Sequence, residues 1–149
     1  QKMAIVTAVC ISEKKGVPKK MVPEIVVRKN HGIVGDAHAG DWHRQVSLLG
    51  EESVDKLRDR LPNLPAGAFA ENILTRGITL YTLPVGTRLR VGETVLEVTQ
   101  IGKECHTACA IKRKTGDCVM PREGIFAIVI EEGTIRPGDE IEVLGKAEE

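Results

Sequence analysis

Residues 86–100 read GTRLRVGETVLEVTQ. Leu89 and Val91 alternate with Arg88 and Arg90, Gly92 and Glu93 turn the chain, and Val95, Leu96 and Val98 return. Alternation of this kind places apolar side chains on one face of an extended chain, so the stretch predicts a β-hairpin with one buried face. Working outward, residues 3–12, 24–28, 43–48 and 69–74 each read as a short strand, as do IFAIVIEE and EIEVLG near the end. Pro137 and Gly138 in TIRPGD mark a turn between the last two. The clearest helix is GEESVDKLRDRL, residues 50–61. Its Val54, Leu57 and Leu61 share one face, acids open it, bases close it, and Pro62 stops it. Many short strands, one good helix and no βαβ alternation predict a mainly β fold: a closed, mostly antiparallel β-barrel with one or two short helices.

The length of 149 residues suits a single domain, 1–149, with no repeat or linker. Acidic and basic residues balance at 21 each, so no overall field draws the chain to nucleic acid or an anionic membrane. Aromatics at 3% leave little for base stacking. No apolar run approaches the ~18 residues of a membrane span. The amino-terminal QKMAIVTAVCIS alternates like a strand and lacks a cleavage pattern. The expected compartment is therefore the cytoplasm, where thiols stay reduced.

Chemistry concentrates in residues 99–127, TQIGKECHTACAIKRKTGDCVMPREGIFA, between two strands. Cys105 and Cys109 have the spacing of a zinc pair, but Cys118 stands alone and no His pair follows. A reactive thiol is the second reading: Lys103 precedes Cys105, and a helix opening at Thr107 would aim its amino end at that thiol. The third is a small buried hydrophobe, the best reading for Cys10 inside MAIVTAVCI.

Residues 31–50, HGIVGDAHAGDWHRQVSLLG, hold three of the four histidines. The histidine cluster suits metal or acid–base work, and the alternative is a loop whose His, Asp and Trp side chains satisfy its own backbone. Arg44 and Ser47 suit an anion, or the lining of a polar barrel mouth. Lys14, Lys15, Lys19 and Lys20 read as a solvated loop. Glu71 and Asn72 interrupt an apolar strand, so they either brace a loop by hydrogen bonds or face a site.

Five pieces, taken in order, carry a family resemblance: IVTAVCISEKKGVPKK, GIVGDAHAGDWHRQVSLL, AGAFAENILTRGI, VGTRLRVGETVLEVTQIGKEC and GIFAIVIEEGTIRPGDEIEV. Across about residues 4–144 the chain resembles a stand-alone MOSC domain, the family named after the carboxy-terminal domain of molybdenum cofactor sulfurases. The resemblance implies an antiparallel β-barrel and matches the family's hallmark cysteine to Cys105, five residues after Gln100. It implies a sulfur-carrier or cofactor-binding domain in molybdenum cofactor maturation, with Cys105 as persulfide carrier or metal ligand. Cys109, one helical turn on if TACAIKRK is helical, suits a resolving thiol or second ligand and equally a packed helix face. The implied cofactor is molybdopterin, held transiently or stably. Gly35, Asp36, His38, His43, Arg44, Ser47, Glu71, Asn72, Lys103 and Arg122 are the expected pocket residues. Gly35, Asp36 and His38 are expected to approach Cys105 across the barrel mouth. Implied partners are a sulfur donor such as a cysteine desulfurase and a molybdoenzyme.

Two alternatives stand beside this reading: a molybdenum-cofactor-dependent reductase of N-hydroxylated compounds, and a non-catalytic cofactor chaperone or interaction module. Reductase relatives often carry Pro before the cysteine and an aromatic residue or Leu after it, where this chain has Glu104 and His-Thr-Ala-Cys. No lysine motif for pyridoxal phosphate is visible, so a complete sulfurase is not expected.

Overall fold

The hairpin at residues 86–100 forms as read, with β7 (Thr87–Val91) antiparallel to β8 (Thr94–Ile101). In this computed structural model the described residues are 4–15, 17–102 and 120–146. Ahead of the hairpin lie β1 (Ala4–Ile11), β2 (Lys20–Val22), β3 (Ile25–Arg28), β4 (Gly32–Ile33), β5 (Val46–Gly50), α1 (Glu51–Arg58), β6 (Ile73–Arg76) and a 3-10 turn, Leu80–Thr82. After it come α2 (Met120–Glu123), β9 (Ile125–Glu131), β10 (Gly133–Ile135) and β11 (Glu140–Lys146). The main sheet runs β11-β7-β8-β9-β5-β6-β1-β2, and pairing of β11 with β1 closes seven of these strands into a barrel. β10, β3 and β4 form a small separate sheet.

One pair departs from the antiparallel rule. β5 and β6 are parallel, with α1 and residues 59–72 as the crossover. The sequence reading places the strand, helix and strand in order but not the parallel pairing that makes them one β-α-β unit, and it begins the second strand at Phe69 where β6 begins at Ile73. Ala70 has φ 63, a left-handed value that extended strand excludes, so residues 69–72 form a loop.

The barrel wall has two faces. Val6, Leu48, Ile73, Leu96, Val98, Ile125 and Ala127 point inward to the main core. Ala8, Leu49, Leu74 and Phe126 point outward and pack beneath Val54 and Leu57 of α1 and Phe69 of the crossover loop. Alternation along each strand thus serves two cores, and α1 seals the outer one.

The crossover loop is pinned to the loop before β2. Lys19 N–H donates to Gly67 O at 2.9 Å. A Cβ on Gly67 would stand 2.0 Å from Lys19 O, and its φ of +86 is left-handed. Gly67→Ala is therefore expected to lower stability by roughly 2 kcal/mol or more, the scale of a strained backbone plus a clash. Urea denaturation checks this, and an unchanged midpoint would show that the two loops separate freely.

Candidate functional site

Glu71, Asn72 and Ser47 form the base of the region. Glu71 is fully buried, and its carboxylate oxygens accept the N–H groups of Gly67 (2.8 Å) and Phe69 (3.0 Å). Burial pushes its carboxyl above the usual range, while these backbone donors pull the other way. Asn72 Oδ1 accepts from Ser47 N (3.0 Å) and Ser47 Oγ (3.1 Å), and Asn72 Nδ2 donates to Cys10 O at 3.0 Å. The three side chains thus brace β1, β5 and the crossover loop, with their polar atoms committed to the fold. Cys10 is buried, and burial first, then the Glu71 charge, pushes its thiol up to about 12. An inert core thiol is the result.

Lys19 corrects the reading of its lysine run. Its side chain has 0% exposure, as has that of Asp36, and the two ion-pair at 2.8 Å. Lys19 Nζ also reaches Ser12 Oγ and His38 Nδ1, each at 3.0 Å. Asp36 accepts further bonds from the backbone N–H groups of Ser12 (3.1 Å) and His38 (3.0 Å). Burial alone would raise the Asp36 carboxyl, but the bond from Lys19 and those from the His38 and Ser12 backbone amides outweigh it and hold it well below the usual carboxylate range. Gly35, exposed with φ +87, makes the turn into this residue. Lys19 carried no positional signal in sequence, since a Lys among lysines beside Gly and Pro has the composition of a solvated turn.

The same loop then crosses to a second cluster. Trp42 Nε1 donates to His38 O at 2.8 Å, and its ring meets His43 edge-on at 5.9 Å. His43 Nε2 and Arg44 Nε both contact Gln100 Oε1, at 2.9 and 3.2 Å. Gln100 Nε2 donates to Gly102 O at 2.8 Å, which orients the amide, so His43 Nε2 is the protonated nitrogen. The Arg44 guanidinium lies 5.2 Å from the centroid of the Phe126 ring.

Register explains why Gln100 is available there. Val98 pairs with Ala127 and Gln100 with Phe126, leaving Thr99 as a bulge whose hydroxyl donates to His43 O. Simple alternation would send Gln100 inward with Val98; the extra residue turns it to the Phe126 face. Ser47 also pairs with Phe126. Ser47, Phe126 and Gln100 therefore form one row on the outer wall, beside the cluster that α1 covers. Gln100, Thr99 and Phe126 were not among the expected site residues, because bulges leave no composition signal.

Arg122, exposed on α2, precedes Glu123, whose carboxylate accepts from Ser53 Oγ (2.6 Å) and Lys56 Nζ (2.8 and 2.9 Å) on α1. Lys103, Cys105 and Cys109 lie outside the described residues, and with them the expected approach of Gly35, Asp36 and His38 to Cys105. Immediately flanking that segment, Gly102 N–H donates to Gly124 O at 2.6 Å. Among the described residues no group of three or more His, Cys, Asp or Glu is placed to hold a metal ion. Nor is any described helix long and apolar enough to cross a membrane.

The sequence pattern of the MOSC domain matches residues 35–142, and the chain belongs to that family. Its fold is similar to that of YuaD from Bacillus subtilis, with TM-score 0.78 at 20% identity, covering 95% of this chain and 96% of that one. It is also similar to YiiM from Geobacillus stearothermophilus (TM-score 0.69, 19% identity, 95% and 75% covered) and YiiM from Escherichia coli (0.67, 19%, 100% and 73%). No curated protein matches the chain in sequence.

Asp36→Asn is expected to cost about 3–5 kcal/mol at neutral pH, because it leaves the Lys19 ammonium buried without its counter-charge. Asp36 is easier to ionise folded than unfolded. Its contribution is therefore present above the unfolded carboxylate pKa of about 4 and is lost as pH falls further. The gap in melting temperature between wild type and variant should narrow on acidification below that point. A gap independent of pH between 2 and 7 (about the span of the titration) would exclude an ionised Asp36 as its source.

Proposed function

We propose that this MOSC domain is a sulfur-carrier or cofactor-binding protein in molybdenum cofactor maturation, with Cys105 as its persulfide carrier or metal ligand. The observation that carries the reading is Arg44. Among the described residues its guanidinium is bonded only through Nε, to Gln100, and stacked on Phe126, so its two terminal nitrogens are open to an acceptor. A planar fork of this kind suits the phosphate of a pterin cofactor, bound through two parallel hydrogen bonds. Arg44 would hold that group, with His43 and Gln100 fixing the fork's direction. The cofactor, when bound, supplies a soft metal centre suited to thiolate. Gln100 lies five residues before Cys105 in sequence.

Sulfur loading is a balanced exchange. The Cys105 thiolate attacks the terminal sulfur of a donor persulfide, the new S–S bond forms, and the donor thiolate leaves. A cysteine desulfurase is a donor of the required chemistry. Asp36, His38 and Lys19 hold the loop that presents His43 and Arg44. Glu71, Asn72 and Ser47 hold the wall beneath it.

Native mass spectrometry with and without reductant tests the carrier role, with molybdenum and pterin assayed on the same sample. Protein made in a cofactor-competent host is expected to carry one extra sulfur mass, lost on reduction, or bound cofactor. Cys105→Ser should abolish either, since a hydroxyl is a far weaker nucleophile and soft-metal ligand. Arg44→Met, which leaves the thiol intact, should weaken cofactor binding about tenfold. Wild-type protein that carries neither sulfur nor cofactor after exposure to a persulfide donor and to molybdopterin would sink the proposal.

A further inference from the structure

Lys19 has three N–H donors and meets three acceptors: Asp36 Oδ1 at 2.8 Å, Ser12 Oγ at 3.0 Å and His38 Nδ1 at 3.0 Å. An ammonium group cannot accept a hydrogen bond. The short contact to His38 therefore needs a lone pair on Nδ1. The competing arrangement, Nδ1–H aimed at Asp36, fails on geometry. Asp36 Oδ2 is 3.7 Å from Nδ1, too long for a hydrogen bond, and a proton on Nδ1 would face the ammonium head-on. The ring proton must sit on Nε2. Among the described residues Nε2 has no protein partner, and the side chain is 27% exposed.

We infer that Lys19 is a positioning residue that locks His38 in the Nε2–H form, so that His38 offers its exposed nitrogen as a hydrogen-bond donor to an oxyanion. Two neighbours favour an anionic acceptor over a neutral one. Lys15 Nζ stands 5.2 Å from the centre of the Trp42 ring, and the Trp42 indole N–H is bonded to His38 O. A cation is thus held at the same corner, while the charges of Lys19 and Asp36 offset each other inside. In this form His38 cannot act as a general base through Nε2, which separates it from His residues that take protons from substrate. The lock needs the backbone of Lys19 held in place, and the bond from Lys19 N–H to Gly67 O does that. The oxyanion half of the inference rests on the cofactor-binding reading above; the tautomer lock does not.

Long-range proton–nitrogen NMR correlation on the intact, histidine-labelled chain reads the tautomer directly. The expected His38 spectrum at neutral pH has a pyridine-type Nδ1 and a pyrrole-type Nε2. Titration with inorganic phosphate should then move the Nε2 signal saturably. Lys19→Met should average the two nitrogen shifts and weaken the phosphate response about tenfold. A wild-type spectrum with the proton on Nδ1, or with an even mixture, overturns the lock. An Nε2 signal that ignores phosphate overturns the ligand assignment. Neither reading requires the variant to fold, because both are made on wild-type protein. Cys105→Ser should leave both unchanged, so failure of the carrier role and failure of this inference are told apart.

Discussion

The Lys19–Asp36 ion pair is the contact on which the polar half of this molecule depends. Two opposite charges with fully buried side chains sit at 2.8 Å, where a lone charge would be costly and a well-bonded pair is tolerated. The bonds around them fix three pieces of chain, of which the first two leave the paired ends of β1 and β2 and the third is a separate loop. These are the end of β1 through Ser12, the approach to β2 through Lys19, and the histidine-bearing loop through Asp36 and His38. Replacing both partners by apolar residues would cost little by itself. It would release the orientation of His38 and the path of the loop toward Trp42, His43 and Arg44. The pair therefore contributes specificity of arrangement more than net stability.

From that hub a chain of contacts runs in both directions. One way it passes through Gly67 to Glu71, so that a buried carboxylate in the crossover loop supports a buried ammonium in another. The other way it passes through Trp42 to His43, Arg44 and Gln100. Gln100 receives these contacts because the Thr99 bulge turned it onto the outer wall. These polar contacts thus lie on the outside of the barrel, beside the helix, over a filled interior.

The sequence was informative wherever period and burial agree. The alternation of Leu89 and Val91 with arginines located the central hairpin, and Val54 with Leu57 located the inward face of the helix. Matching of the ordered pieces located the family. Legibility failed where a single residue breaks a period. Thr99 shifts the phase of β8, Ala70 with its left-handed backbone delays β6 to Ile73, and neither position has an unusual composition. It failed again at Lys19, where burial is set by an aspartate 17 residues away and by a glycine in a third segment. Glu71 and Asn72 were recognisable as polar groups in need of partners; which partners they take depends on the crossover, a tertiary feature. His43 and Arg44 stood out by residue type, but the amide that joins them did not.

The closing seam of the barrel is narrow and topologically remote. β1 and β11 share the register pairs Ala4 with Ile141 and Ile5 with Glu140, supplemented by the bonds of Val6 to Gly138 and Asp139. These partners come from nearly opposite ends of the described chain, so joining them carries a large loop-closure entropy that local hairpins do not face. The β7–β8 hairpin and its extension to β9 can assemble early, whereas the seam must wait for the rest of the sheet. During synthesis β1 emerges long before its partner β11, leaving that edge open to other strands until the last segment arrives.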